Sequence, residues 1–418
     1  MNFSKKLDFV AFSLVAILFT FLPFHAFLWT WFHAHFWTDS WTIVVQSWKE
    51  ILVGLIAILA AVKLIFMRKL PRDRTFWLGT IFVILALFYL FLGGISEQKI
   101  LGLRTATLFL IAFLAVQFFD FGTRARALFR VILFSGGVVI LFALAQKFLL
   151  PADFLRNFGY SENVSSWLPG GNLPMFHLLG NSETIRLQST FAGPNQLAAF
   201  LLVLLPIAFF EFWRGKKLVK YFLAAEILGG ILVLIFTFSR SAWLGAAAIF
   251  LIFAVEMWRK NLPAKLRQRL FLGGILAILG CGILFFASEN RSEIFARLGS
   301  TSEHFAKSLA AGELVLQNPF GLGLGQTAGV SQRFGAGITP ENTFLGVALE
   351  LGWLGGILFL VFCGELLHKL KNADSPLFYS LVGILVVAFF LHPLEDAPTA
   401  LTLFLLAGIK VDSSSSDH

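Results

Sequence analysis

Apolar runs of about 18 or more residues recur throughout this chain of 418 residues. A helix of about 20 apolar residues is long enough to cross the ~30 Å hydrocarbon core of a bilayer. Only 14% of the residues are charged, against roughly 25% in soluble domains. The runs are also apolar on every side, whereas a soluble helix needs a polar face. The sequence therefore predicts an all-α fold, a polytopic transmembrane helical bundle.

About twelve spans are predicted. They cover approximately residues 9–31, 48–67, 75–95, 100–119, 131–150, 193–211, 219–238, 241–257, 270–288, 342–366, 376–392 and 396–410. We expect residues 1–410 to form a single transmembrane domain. The serine-rich tail, 411–418, has the composition of a disordered segment.

The distribution of basic residues supports this order of spans. If the N-terminus is cytoplasmic, 21 of the 33 Lys and Arg residues fall in cytoplasmic segments, and the short outer connections contain almost none. This is the asymmetry that the positive-inside rule describes. The net charge of +9 therefore reports topology and not nucleic-acid binding, and both termini are predicted to be cytoplasmic.

Two outer connections are long, 151–192 and 290–341. Ser300 and Glu303 have the spacing of a capping box, which predicts a helix on the outer face over 300–318. This helix makes the loop between spans nine and ten partly helical. Its apolar stripe is expected to lie against the membrane domain and consists of Phe305, Leu309 and Leu316.

Arg240 lies beside Ser239 in a tight outer turn between two spans. The planar guanidinium of arginine suits bidentate binding of phosphate. The plainer alternative is an anchor that snorkels to the membrane surface. Such anchors usually lie on the cytoplasmic side, so the position of Arg240 favours a binding role.

Other polar residues mark the predicted outer edge. Arg186 precedes span six, and Asn195 opens that span, either as a helix cap or as a ligand for a bound group. Glu341 and Asn342 open span ten, where a carboxylate is either a cap on the helix dipole or a base exposed to the outer compartment. Glu350 is two turns deeper and needs a partner or a proton there.

The glycine-rich stretch 317–326 is not a nucleotide-binding loop, because no Lys-Ser/Thr follows it. Its backbone amides are candidates for anion binding. The histidines show no metal-ligand spacing, and no carboxylate-rich cluster occurs. We therefore expect neither a metal nor another cofactor.

Four stretches together resemble the O-antigen ligase and O-antigen polymerase superfamily of bacterial membrane glycosyltransferases. They are residues 189–198 (STFAGPNQLA), 238–245 (FSRSAWLG), 317–325 (QNPFGLGLG) and 341–356 (ENTFLGVALELGWLGG). Each is weak alone, but their order, spacing and predicted outer position make the set fairly specific. The predicted topology, twelve spans with a large outer loop between spans nine and ten, also resembles that of the family.

The resemblance implies transfer of a glycan from an undecaprenyl-diphosphate carrier to an acceptor hydroxyl, on the outer face of a bacterial inner membrane. It assigns the diphosphate to Arg186 and Arg240, with Asn195 and Ser239 as further candidate binding residues. The family usually has a catalytic histidine, followed by asparagine, at the start of span ten. Here that position is Glu341, before Asn342. A glutamate is also a common general base, so both are candidate catalytic residues.

The sequence leaves the acceptor open, since a ligase to a lipid, a polymerase extending a glycan and a transferase to protein share these features. A transporter or lipid-carrier flippase without transferase activity is the main alternative from another class. Transporters tend to show internal repeats and polar or broken helices at the midplane. Neither is clear in this chain, whose notable polar residues cluster at the outer edge. A non-catalytic membrane scaffold is the third reading.

Overall fold

The structure is a computed structural model that describes residues 3–36, 39–162, 173–179, 184–259, 298–335 and 340–409. Within these ranges the chain forms α-helices, short 3-10 turns and two isolated β-bridges, and no sheet. The predicted all-α fold is confirmed. The tail at 411–418 lies outside the described residues.

Fourteen α-helices are described in these ranges. They are α1 (Phe3–Phe21), α2 (His25–His35), α3 (Asp39–Met67), α4 (Arg74–Phe91), α5 (Glu97–Val116), α6 (Ala125–Phe148), α7 (Pro194–Arg214), α8 (Lys217–Phe236), α9 (Arg240–Arg259), α10 (Leu298–Gln317), α11 (Ala328–Arg333), α12 (Thr343–Asn372), α13 (Pro376–Ala388) and α14 (Ala397–Gly408).

In the described part of the chain, nine helical segments are long and apolar enough to cross a membrane, with α1 and α2 counted together as one. Two further apolar helices, α13 and α14, are shorter. The predicted span at 270–288 lies outside the described residues. The chain is thus a multi-pass membrane protein, and the total of twelve spans stays a prediction.

The surface of the bundle is apolar, as contact with lipid requires. Ile58 of α3, Leu228 of α8 and Leu251 of α9 are 61%, 69% and 62% exposed. Exposed apolar surface on this scale marks contact with a membrane or a partner. The centre is different, because α14 is buried from Pro398 to Gly408. Its 12 residues extend only about 18 Å, which is sufficient because protein surrounds the helix.

The outer helix predicted over 300–318 occupies Leu298–Gln317 and contacts α12. The predicted stripe is wrong for two of its residues, since Leu309 and Leu316 are 56% and 70% exposed. Ala311 is buried instead, and the Val315 carbonyl accepts a hydrogen bond from Trp353 Nε1 at 2.7 Å. This hydrogen bond helps to set which face of α10 packs against α12. The side chain of Phe305 lies outside the described residues.

The glycine-rich stretch after α10 packs against a kink in α12, where Gly352 has a φ of 71°. The Leu322 amide donates to the Leu349 carbonyl at 2.6 Å, and the Gly323 amide donates to the Glu350 carbonyl at 3.1 Å. Both carbonyls lie beside the kink, so the stretch satisfies backbone groups near the break in the helix. The expectation that these amides bind an anion is therefore wrong for Leu322 and Gly323.

The buried carboxylate of Glu350 has the partner that the sequence argument required. Its Oε1 accepts from the Thr327 amide at 3.1 Å and from the Thr327 hydroxyl at 2.8 Å. Nearby, a Cβ on Gly102 of α5 would lie 2.2 Å from the amide nitrogen of Gly325. The segment between α10 and α12 is thus fixed both to α12 and to α5.

Candidate active site

The segment that precedes α7 is buried between helices. Leu187, Gln188, Ser189, Thr190 and Phe191 are all at most 4% exposed. A buried loop needs a partner for each of its polar groups. The Ser189 hydroxyl donates to the Val139 carbonyl at 2.8 Å, and the Thr190 hydroxyl donates to the Pro23 carbonyl at 2.7 Å. This segment is a rigid support for the residues on either side of it.

Arg186 joins this segment to two helices. Its Nε donates to the Thr237 carbonyl at 2.8 Å, just beyond the end of α8. Its Nη2 donates to Asn195 Oδ1 at 2.8 Å, in the first turn of α7. Gly193 is the N-cap of α7 and no side chain caps it, so the cap alternative for Asn195 is wrong. Asn195 instead holds the guanidinium of Arg186 in place.

Arg240 begins α9, three residues after the carbonyl that Arg186 contacts. Ser239 is buried, and its amide donates to Thr237 Oγ1 at 3.3 Å. The side chain of Arg240 is half-buried. A cation at a helix N-terminus opposes the helix dipole, which by itself disfavours the folded arrangement. Arg186 binds the carbonyl of this turn and Arg240 follows the turn, so two arginines are associated with it, and arginine suits an anionic ligand with several oxygens.

Glu341 and Asn342 occupy different positions at the start of α12. Asn342 is the cap, because its Oδ1 accepts from the Leu345 amide at 3.0 Å. Its Nδ2 donates to the Phe389 carbonyl at 3.2 Å, just beyond α13. Glu341 Oε1 lies 3.4 Å from the Nζ of Lys307 on α10. The cap alternative therefore applies to Asn342, and the carboxylate of Glu341 pairs with a cation.

Backbone strain marks each of the three turns that carry these residues. Ser189, Phe238 and Glu341 have φ values of 52°, 49° and 47°. Side chains other than glycine rarely adopt this left-handed region, and such strain concentrates at functional sites. In the described ranges the other residues of this kind, besides glycine, are Arg68 and Asp374. The strain thus supports the same three turns that the sequence argument selected.

The helices α9 and α13 run antiparallel and pack against each other. The Tyr379 hydroxyl of α13 donates to Glu256 of α9. Further along, a Cβ on Gly245 would lie 2.9 Å from the carbonyl oxygen of Gly383. In these two contacts the residue number decreases along α9, from 256 to 245, while it increases along α13, from 379 to 383.

This register places the three turns at one end of the bundle. Arg240 is five residues before Gly245, which is about 7.5 Å along the axis of α9 towards its first residue. Phe389 is six residues beyond Gly383 in the same direction, or about 9 Å. Because Asn342 bonds to the Phe389 carbonyl, the start of α12 lies at the level of Arg240. The arginine turn and Glu341 therefore share one end, on neighbouring elements.

Two contacting residues were not predicted as part of the site. One of them is His177, whose backbone carbonyl accepts a hydrogen bond from the Arg186 amide at 2.8 Å. Burial, with a smaller contribution from the Arg186 charge and against the hydrogen bond with the Ala192 carbonyl, lowers the pKa of the His177 imidazole to about 4. A neutral imidazole there adds no charge beside the arginine. Lys307 is the other residue, and its pairing with Glu341 crosses a connection that no sequence spacing encodes.

Comparison with known proteins gives two matches. The O-antigen ligase family model matches residues 225–360, which include the Arg240 turn and Glu341 but not Arg186 or Asn195. A curated protein is similar as well, the ComP-specific O-oligosaccharyltransferase of Acinetobacter baylyi, which is 30% identical over 253 residues. Both findings support the resemblance of this chain to the O-antigen ligase superfamily. The alignment covers 55% of this chain and 44% of the relative, so the chain spans less than half the length of that protein.

Proposed function

We propose that this chain is a member of the O-antigen ligase superfamily and that it transfers a glycan from an undecaprenyl-diphosphate carrier to an acceptor hydroxyl. One observation carries the proposal. The Arg186 guanidinium is bound to the strained turn that leads into Arg240, at the same end of the bundle as a carboxylate, Glu341, at the start of α12. The first feature suits a leaving diphosphate, and the second suits a hydroxyl that must lose a proton.

The two arginines are assigned to the diphosphate. As the bond between the sugar carbon and the phosphate oxygen breaks, the electron pair and negative charge move onto the diphosphate. Fixed cations near that oxygen stabilise the charge without reorganising. Arg186 is already oriented by Asn195 and by the Thr237 carbonyl. The buried Ser239 supports the turn that carries Arg240.

Glu341 is assigned as the general base. The acceptor oxygen attacks the sugar carbon, its proton passes to the Glu341 carboxylate, and the new glycosidic bond replaces the bond to phosphate. The ionised form of a carboxylate is the form that accepts this proton. Asn342 holds the helix start in place through its two hydrogen bonds. We assign Asn342 to positioning.

We further propose that the reaction takes place on the outer face of a bacterial inner membrane. The support is the concentration of basic residues at the opposite end of the predicted spans, which favours a cytoplasmic position for that end and for both termini. The name of the relative, an O-oligosaccharyltransferase, supports transfer of an oligosaccharide to an oxygen atom. Glycan, lipid and protein acceptors all provide such an oxygen.

The test is an assay of the purified protein with an undecaprenyl-diphosphate-linked glycan and each class of acceptor in turn. We expect a covalent glycan–acceptor product and release of the carrier. Since the proposal assigns the positive charge to arginine and not to a metal, EDTA should leave the rate unchanged. Movement of the carrier between the leaflets of a vesicle, with no covalent product from any acceptor, would instead support a flippase.

A further inference from the structure

A cavity of about 540 Å³ lies between α7, α9, α13 and the end of α12. It is far from the candidate active site, because Arg240 and Arg259 are at opposite ends of α9, about 28 Å apart along its axis. The volume is typical of ligand pockets in proteins. Among the described residues, its walls are largely aromatic and include Phe209, Phe210, Trp213, Phe253, Phe378 and Tyr379.

The polarity of the cavity changes with depth. On α7, Arg214 is the last residue, and Phe209 is five residues earlier, about 7.5 Å deeper in the bundle. On α9, Arg259 is the last residue, and Phe253 is six residues earlier, about 9 Å deeper. Lys371 adds a third cation near the end of α12. Cations therefore stand at the rim, and aromatic rings form the deeper walls.

The cations at the rim have acidic neighbours, but the ion pair at Arg214 is weak. The Arg214 guanidinium lies 3.7 Å from Glu211 in a half-exposed pair, and such pairs are weak. Glu256 accepts a hydrogen bond from the Tyr379 hydroxyl. With Asp374, three acids accompany the three cations at or beside the described lining. The cations are nevertheless grouped at the rim, where a phosphate group can lie against them.

We propose that this cavity binds an acidic phospholipid of the surrounding membrane. The phosphodiester lies beside Arg214, Arg259 and Lys371, and an acyl chain runs along the aromatic walls. A charged rim above an apolar wall fits an amphiphile, and basic pockets between transmembrane helices bind acidic lipid headgroups. A soluble phosphate compound leaves the aromatic walls without a partner. This site is separate from the proposed transferase site and does not depend on it.

The experiment measures lipid binding to the purified full-length protein in detergent, by native mass spectrometry and by thermal unfolding. Phosphatidylglycerol and phosphatidylcholine are compared with identical acyl chains. We expect phosphatidylglycerol to remain bound and to raise the unfolding temperature, and phosphatidylcholine to do neither. Inorganic phosphate at the same concentration should have no effect.

Paired variants separate this site from general attraction to a basic surface. The double variant Arg214→Gln/Arg259→Gln should bind phosphatidylglycerol roughly 25-fold more weakly, because each basic residue near an acidic lipid contributes about fivefold. The control, Arg72→Gln/Arg126→Gln, removes two cations that do not line the cavity and should bind like the wild type. Met257→Trp, which adds bulk to the lining, should weaken binding without changing charge.

Several outcomes would overturn the proposal. Equal retention of the two lipids would show that the headgroup is not recognised. Unchanged binding in the Arg214→Gln/Arg259→Gln variant would show that the cations at the rim do not bind the lipid. An equal loss in the control pair would mean that the lipid senses only the overall charge of this end. Protection by inorganic phosphate as strong as that by phosphatidylglycerol would assign the rim to a soluble anion.

Discussion

Glu341→Gln is the change that best separates a catalytic role from a structural one. Glutamine keeps the size of the side chain and its hydrogen-bonding capacity, but it does not accept a proton at neutral pH. Asn342, and not Glu341, caps α12, so the substitution leaves the helix start intact. The substitution does remove the ion pair with Lys307.

The structure bounds the size of the structural effect. Lys307 Nζ and Glu341 Oε1 are 3.4 Å apart, and their side chains are 40% and 21% exposed. Partly exposed pairs of this kind contribute about 0–1 kcal/mol. Loss of a general base costs about 10²–10⁴ in rate, or about 3–5 kcal/mol in the barrier. A base and an ion-pair partner therefore differ by well over an order of magnitude in rate.

The assay measures single-turnover glycan transfer at saturating donor, together with the thermal unfolding midpoint. We expect the glutamine variant to lose 10²–10⁴ in rate while donor binding and unfolding change little. Lys307→Gln is the matched control, because it breaks the same ion pair and keeps the carboxylate, so its rate should stay within a few-fold of wild type. Glu341→His should retain some activity, since imidazole is the base that the family resemblance implies.

The reasoning fails if the glutamine variant turns over within a few-fold of wild type. It also fails if the Lys307 control loses as much rate as the glutamine variant, because the ion pair would then account for the effect. In the first case Glu341 is an ion-pair partner only, and the base must be sought elsewhere at this end of the bundle.

Three further predictions concern the arginines, the topology and the buried imidazole. Arg240→Lys keeps the charge but loses the guanidinium fork, so transfer should fall, and fall further in Arg240→Ala at normal protein abundance; full activity in the alanine variant would indicate an anchor. Cysteine introduced at the exposed Gln332 should react with an impermeant reagent in intact cells, whereas cysteine at Lys216 should react only after lysis; the reverse pattern would invert the topology. The pKa of His177 is lower in the folded than in the unfolded state, so folded protein binds fewer protons between pH 6.5 and about 4 and stability falls as pH drops through that window. His177→Gln should therefore show a smaller fall in unfolding temperature from pH 7 to pH 5 than wild type, and an equal fall would reject the shifted pKa.

Much of the architecture could be predicted from local sequence. A run of apolar residues has few alternatives to a membrane-spanning helix, because a lipid environment requires that backbone groups bond within the segment. The end of α10 at Gln317 likewise follows from Asn318 and Pro319, which come directly after it. The predicted start is wrong, because the helix begins at Leu298 and Ser300 is inside it rather than at its cap. The resemblance to the O-antigen ligase superfamily also rests on short stretches, and the family match includes Arg240 and Glu341.

The use of each polar group was decided only by tertiary structure. Asn195 is a partner of Arg186 and not a cap, because the turn after α8 brings the guanidinium to it. The Leu322 and Gly323 amides bond to carbonyls beside the kink in α12 and not to an anion. The Glu350 carboxylate accepts hydrogen bonds from Thr327, 23 residues earlier in the chain. Local pattern determines which segments are helical, because those hydrogen bonds join residues four apart. Pairing between distant residues depends on which helices pack together, and that choice is made by the whole bundle.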